Sequence, residues 1–230
     1  MKTIGLIGGM SWESTVTYYQ LINTAVKERL GGLHSAKCLV YSVDFHEIEA
    51  CQASGDWEKS GRILGEAAWA LERAGAELIL ICTNTMHKVF PQVQARVAVP
   101  LLHIAEATAD ALDRQGITRV GLLGTRYTLL QDFYKERLIR RGVEVLIPGP
   151  EDVERIDRII FGELCLGTVS EESRREYLRI IDSLADRGAQ GVILGCTEIG
   201  LLVAQKDTRV PLFDTTAIHA LRAVGLALED

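Results

Sequence analysis

The chain has 230 residues, 47% of them hydrophobic and 24% charged, with a formal net charge of -6. That length can bury a substantial core without disulfides or metals, and the ordinary composition excludes collagen-like or extensively disordered structure. The acidic balance argues against nucleic acid as the main partner, because phosphate binding needs a concentrated basic surface.

In chain order, Ile4–Ile7 is a short apolar run read as a buried parallel strand. The loop Gly8-Gly9-Met10-Ser11-Trp12-Glu13 follows, then a helix from Ser14 to Arg29 that ends at Gly31-Gly32. Cys38–Val43 reads as a second strand, Asp56 caps a helix running to Arg73, and Leu78–Ile81 is a third strand. Val120–Leu123, Val143–Ile147 and Val192–Leu194 read as further strands. Ser170 caps a helix running to Arg187, before Gly188, and Thr215 to Leu228 is the last helix. Such alternation predicts an α/β fold with a mostly parallel sheet. No apolar run approaches the ~20 residues of a membrane helix.

Five cysteines stand at 38, 51, 82, 165 and 196, with no C-x-x-C pair. An odd, widely spaced set argues against a disulfide framework or a thiolate zinc site, and predicts a reducing, cytoplasmic setting. The opening segment lacks the apolar core and cleavage site of a signal peptide. The five histidines include no H-x-x-x-H pair, so no metal site is expected.

Self-comparison organises the chain further. Ile4-Gly5-Leu6-Ile7-Gly8 recurs as Val120-Gly121-Leu122-Leu123-Gly124, an offset of 116. Gly75-Ala76 recurs as Gly188-Ala189 at 113, and Val99-Pro100-Leu101-Leu102 as Val210-Pro211-Leu212-Phe213 at 111. The constant order predicts two pseudo-symmetric α/β lobes, 1–115 and 116–230, each with a mostly parallel sheet flanked by helices. The final helix is able to pack back on the first lobe. Ligands of open α/β sheets bind beyond the carboxyl ends of the strands, so an active-site cleft is expected between the lobes.

The 113 offset sets Thr83 opposite Cys196, Asn84 opposite Thr197 and Thr85 opposite Glu198. A hydroxyl and a thiol at equivalent strand ends could approach one carbon from two faces, as inversion by proton transfer requires. A strand-end cysteine is also a common core residue; Cys82, of opposite parity to Thr83, is read that way. Cys38, Cys51 and Cys165 are read as structural or incidental. His87 is either a helix-start histidine or a proton relay. The Gly8–Glu13 loop departs from G-x-G-x-x-G, and no G-K-[ST] follows. Its backbone N–H groups, like the counterpart Gly124-Thr125-Arg126-Tyr127-Thr128, suit a carboxylate or simply make a tight turn.

These segments carry a resemblance. Met1-Lys2-Thr3-Ile4-Gly5-Leu6-Ile7-Gly8-Gly9-Met10-Ser11-Trp12-Glu13-Ser14-Thr15, Cys82-Thr83-Asn84-Thr85-Met86-His87, Leu122-Leu123-Gly124-Thr125 and Gly195-Cys196-Thr197-Glu198 resemble the cofactor-independent aspartate/glutamate racemase superfamily. The similarity is nearest to its enterobacterial L-aspartate/glutamate-specific type. It implies two lobes, no pyridoxal phosphate or other cofactor, an amino-acid substrate and a homodimer. Most of the family pairs Cys-Asn-Thr with Gly-Cys-Thr-Glu, the two cysteines being the acid/base pair. Here Thr83 replaces the first cysteine, and an alkoxide is a far less accessible base than a thiolate. The resemblance then implies that Cys196 removes the proton of the L-enantiomer and that L→D conversion is preferred.

The implied substrate-binding set is Met10, Ser11, Gln52, Asn84, Thr85, Thr125, Glu163 and Thr197, with His87 and Glu198 as proton-relay candidates. The arginine and lysine that better-known aspartate racemases use are missing from Asp44–Ile48 and Ile160–Cys165, leaving His46, Gln52 and Arg126 as substitutes. Glu163 is a candidate for the substrate ammonium or a solvated helix carboxylate. Rival expectations are a cysteine-dependent decarboxylase or cis–trans isomerase of the same superfamily, or a non-catalytic ligand-binding module.

Overall fold

A computed structural model describes residues 1–229. The described residues form two four-stranded sheets in which every pairing is parallel. The chain divides into two compact units, Met1–Ile104 with the segment from Thr216, and Ala105–Thr215.

The first unit runs β1 (Ile4–Gly8), α1 (Trp12–Leu30), β2 (Cys38–Ser42), α2 (Phe45–Ser54) and α3 (Trp57–Arg73). It continues with β3 (Leu78–Ile81), a 3-10 turn over Thr85–Val89, α4 (Phe90–Gln94) and β4 (Leu101–Leu102), in sheet order β2-β1-β3-β4. Its central strands are buried on both faces, which explains their unbroken apolar sequences. Ile7, Ile79 and Ile81 pack with Leu64, Ala67, Ala68 and Leu71 of α3 on one face. Ile4, Leu6, Leu78, Leu80 and Cys82 turn the opposite way, against Tyr18, Ile22 and Val26 of α1. The chain's last helix adds Ala220, Ala223, Val224 and Ala227 to that face. Each fully buried Leu or Ile contributes about 1.5–3 kcal/mol.

The second unit follows helix α5 (Ile104–Arg114) with β5 (Arg119–Leu123), α6 (Arg126–Leu130), α7 (Asp132–Ile139), β6 (Glu144–Leu146) and α8 (Pro150–Gly162). Then come α9 (Glu171–Asp186), β7 (Val192–Leu194), α10 (Ile199–Leu202) and β8 (Leu212–Asp214), before α11 (Thr215–Leu228). The sheet order, β6-β5-β7-β8, repeats that of the first unit. Val192, Leu194 and Cys196 share one face with Ile156 and Ile160 of α8 and Tyr177, Ile180, Ile181 and Leu184 of α9.

Helix caps form where their sequences place them. Asp56 accepts from the Lys59 N–H at 2.9 Å and Ser170 from the Ser173 N–H at 3.1 Å. Two expectations need correction. Cys38–Val43 and Val143–Ile147 are edge strands rather than buried ones, and Val40 and Tyr41 are accordingly exposed. The Val-Pro repeats also lead into strands, β4 and β8, too short to show a period of their own. Each is pinned by a glutamine. Gln94 accepts from the Leu101 N–H and donates to the Val97 and Val99 carbonyls; Gln205 accepts from Leu212 and donates to Thr208 and Val210.

Candidate active site

In each sheet the chain leaves the first strand toward one edge and returns through the third toward the other. The crevice at this switch lies beyond the carboxyl ends of those two strands. For the first sheet these are β1 and β3, and for the second β5 and β7. Met10, Ser11, Thr83, Asn84, Thr85, Thr125, Cys196, Thr197 and Glu198 stand just beyond these ends, whereas His46 and Gln52 lie in α2 and Glu163 follows α8.

Beyond β1 the backbone turns at Gly9, with φ +89°, where an added Cβ would lie 2.2 Å from the Val43 carbonyl oxygen. Thr15 Oγ1 accepts from the Gly9 N–H at 2.8 Å and donates to the Ser11 carbonyl at 2.9 Å. Ser11 is the N-cap of α1, accepting from the Ser14 N–H at 3.3 Å. The Gly9 amide, read as a donor to a substrate carboxylate, is therefore already engaged inside the loop. Met10 is buried in the apolar cluster under α3, and the buried Gln52 amide lies 3.1 Å from Met86 Sδ.

Beyond β3, Cys82 faces the core, where burial pushes its thiol up. Thr83 is half-buried, and Asn84 and Thr85 are buried. The Thr83 N–H donates to the Ile81 carbonyl at 2.9 Å, and its own carbonyl lies 2.8 Å from His87 Nδ1. Sequence reasoning missed the neighbours of this turn. His87, His103 and His219 form a buried cluster, with centroids 4.6 Å apart for His87–His103 and 5.8 Å for His87–His219. His219 Nε2 lies 3.0 Å from the Leu102 carbonyl, so Nδ1 accepts from the Tyr18 hydroxyl at 2.8 Å. Burial holds His219 down to about 3, with a smaller contribution from His87.

Beyond β7, Gly195 passes so close to β5 that an added Cβ would lie 2.5 Å from the Leu123 carbonyl oxygen. Cys196 follows, 8% exposed, with its Sγ–H donating to Glu198 Oε2 at 3.0 Å. The Thr197 hydroxyl donates to the same oxygen at 2.8 Å. Burial and the adjacent Glu198 carboxylate raise the Cys196 thiol well above its ordinary value, so the resting group is a thiol. Thr125 caps α6 through the Thr128 N–H, as Ser11 caps α1. Arg126 donates its backbone N–H to Asp157 at 2.8 Å, and it lines a cavity of about 400 Å³ with Leu130, Ile147 and Val153. Glu163 is not a merely solvated carboxylate: Ser173 and Ser170 donate to its Oε2 at 2.7 and 3.2 Å. His46 lies in the first turn of α2, its backbone N–H held by Asp44. Among the described residues no group of three or more His, Cys, Asp or Glu is arranged to hold a metal ion.

The family model for Asp/Glu/hydantoin racemases matches residues 7–223. The chain belongs to that family. Racemases are isomerases, and the class comes with membership. A crystal structure from Yersinia pestis, described as a candidate Asp/Glu racemase, is 57% identical with a TM-score of 0.92, covering 100% of both chains. An aspartate racemase homologue from Pyrococcus horikoshii OT3 is 40% identical with a TM-score of 0.87, again over 100% of both. The broad-specificity amino-acid racemase of Bacillus subtilis (strain 168) is 21% identical over 98% of each chain. The chain thus shares its doubled-sheet fold, over its whole length, with the Yersinia pestis and Pyrococcus horikoshii OT3 crystal structures.

Proposed function

We propose that the protein racemises acidic amino acids, aspartate or glutamate, without pyridoxal phosphate, and favours the L→D direction. Cys196 is the base toward the L-enantiomer, and Thr83 serves the opposite face. The hydrogen bond from the Cys196 thiol to Glu198 carries this reading. A thiol held up by burial and a carboxylate is a poor base until its proton leaves, and Glu198 Oε2 is the acceptor in contact. An approaching substrate ammonium stabilises the resulting thiolate, which then takes the Cα proton. Thr83 has a neutral hydroxyl, suited to relaying a proton from water to the carbanion, its own proton being replaced as it leaves, and unsuited to removing one.

Ser11, Asn84, Thr85, Thr125 and Thr197 hold the α-carboxylate and stabilise the developing carbanion as hydrogen-bond donors. Arg126, beside its cavity, recognises the side-chain carboxylate. Direction here is kinetic, because no enzyme shifts the equilibrium between free enantiomers. The enzyme works in the cytoplasm as a homodimer. The exposed stripe Trp12, Val16 and Tyr19 on α1, spaced as one helix face, supports association of two copies.

Incubating a panel of L- and D-amino acids in deuterated water, read by proton NMR, tests the function. Loss of the α-proton signal from L-aspartate or L-glutamate, with the D-enantiomer appearing, is expected. Carbon dioxide release from a substituted malonate, with L-aspartate unlabelled, would instead support a decarboxylase. No exchange from any amino acid would leave a binding module.

A further inference from the structure

We propose that His87 is a positioning residue for Thr83, fixed as the neutral tautomer with its proton on Nδ1, and that it passes no proton to or from substrate. The inference rests on the reading that Thr83 serves one face of the substrate. It replaces the relay role that the sequence left open for this histidine.

Both ring nitrogens are held by main chain. The Ile104 N–H donates to His87 Nε2 at 3.1 Å, so that nitrogen carries a lone pair and no proton. The remaining proton sits on Nδ1, which donates to the Thr83 carbonyl at 2.8 Å. Protonating the ring would set an Nε2–H against the Ile104 N–H, and deprotonating Nδ1 would leave the Thr83 carbonyl without this donor. A relay must exchange protons at one nitrogen, and either exchange here breaks a contact with the main chain.

The surroundings favour the neutral ring. His87 is 2% exposed and packs against a contacting pair of rings, His103 at 4.6 Å and Phe90 at 5.9 Å, with His219 at 5.8 Å. Thr83 is thereby tied at both ends of its backbone, by its N–H to Ile81 and by its carbonyl to His87. With the backbone fixed, the Cα–Cβ bond of Thr83 leaves the strand end in one direction, which limits the hydroxyl to the few staggered positions about it.

The second unit shows that this device is local. At the same 113 offset His87 corresponds to Gly200, and at 111 His103 corresponds to Asp214. The Cys196 carbonyl accepts from the Ile199 N–H at 3.1 Å, within its own turn. The cysteine has its partner at the side chain, in Glu198, whereas the threonine is held from behind.

Two measurements test the proposal. The ring nitrogens of His87, followed by ¹⁵N NMR in the intact enzyme, should show a protonated Nδ1 and an unprotonated Nε2, unchanged from pH 5.5 to 8. The opposite tautomer, or a titration within that range, would overturn it, and no turnover is needed for the readout. His87→Asn keeps a nitrogen donor one bond beyond Cγ, whereas His87→Leu removes it. His87→Asn should retain L→D racemisation within about threefold. His87→Leu should lose about tenfold or more in kcat with little change in KM, since misplacement by ~1 Å can cost on the order of 10²-fold. If both variants lose activity equally and both lose one limb of the pH profile, His87 is a relay and the inference fails. If wild-type enzyme exchanges no amino acid, the functional reading falls, while the NMR result still decides the tautomer.

Discussion

The two units share a sheet order and the paired Gln94 and Gln205 clamps, yet their third-strand ends are built from opposite chemistry. In the second unit a thiol and a hydroxyl converge on the Glu198 carboxylate. In the first, a threonine is backed by a packed group of imidazoles. All five histidines of the chain fall in the first unit, whereas the second has none. The groups that hold the strands match between the units, and the side chains at the strand ends differ. On the reading proposed above, the base belongs to the second unit and the threonine to the first.

Replacing Cys196 breaks that comparison most severely. Cys196→Ala should lower α-proton exchange from the L-enantiomer by on the order of 10³-fold or more, given the 10²–10⁴ typical of a positioned acid or base. Deuterium wash-in measures it, and unchanged turnover would contradict an active second unit.

Glu198→Gln separates the two consequences of the carboxylate. Racemisation should fall by about 10²-fold as the proton acceptor is lost. The thiol should meanwhile become more acidic, because an adjacent negative charge holds it up. Alkylation by iodoacetamide across a pH series should thus show a midpoint moved to lower pH, as activity drops. A midpoint moved upward would contradict the role assigned to Glu198.

The first unit should be the acid-sensitive one. His219 has a folded-state value of about 3, against an ordinary value of 6.5. Between those values the unfolded chain binds a proton that the folded unit does not, so stability falls as pH drops through the window. Hydrogen exchange at pH 7 and pH 4 should show protection lost first around α11 and β4. Equal loss in both units would count against this assignment.

The smallest effects should come from the matched clamps. Gln94→Ala and Gln205→Ala each remove three hydrogen bonds, and each should cost about 1–3 kcal/mol in denaturant titration. Widely different costs would show that the units have diverged in stability as well as chemistry.

Much of the fold was legible because its signals are local. Ile4–Ile7 and Leu78–Ile81 are unbroken apolar runs, and Asp56 and Ser170 are caps whose partners lie three residues on. The edge status of Cys38–Ser42 was not legible, since it depends on which strands pair with it. Leu101–Leu102 was too short to show alternation. At the site, Cys196 and Glu198 lie two residues apart, so their juxtaposition could be anticipated. The two bonds of His87 reach Thr83 and an amide seventeen residues away, and Glu163 meets serines from another helix. Only the assembled chain shows those partners.

The division of labour between the strand ends is tested most directly by Thr83→Cys. Initial rates of α-deuterium incorporation should be measured for wild type and variant, starting from each pure enantiomer. A thiol at position 83 supplies the base that the first unit lacks, so D-enantiomer exchange should rise about tenfold or more while L-enantiomer exchange changes little. Equal changes from both enantiomers, or no gain from the D side, would contradict the assignment of Cys196 and Thr83 to opposite faces of the substrate.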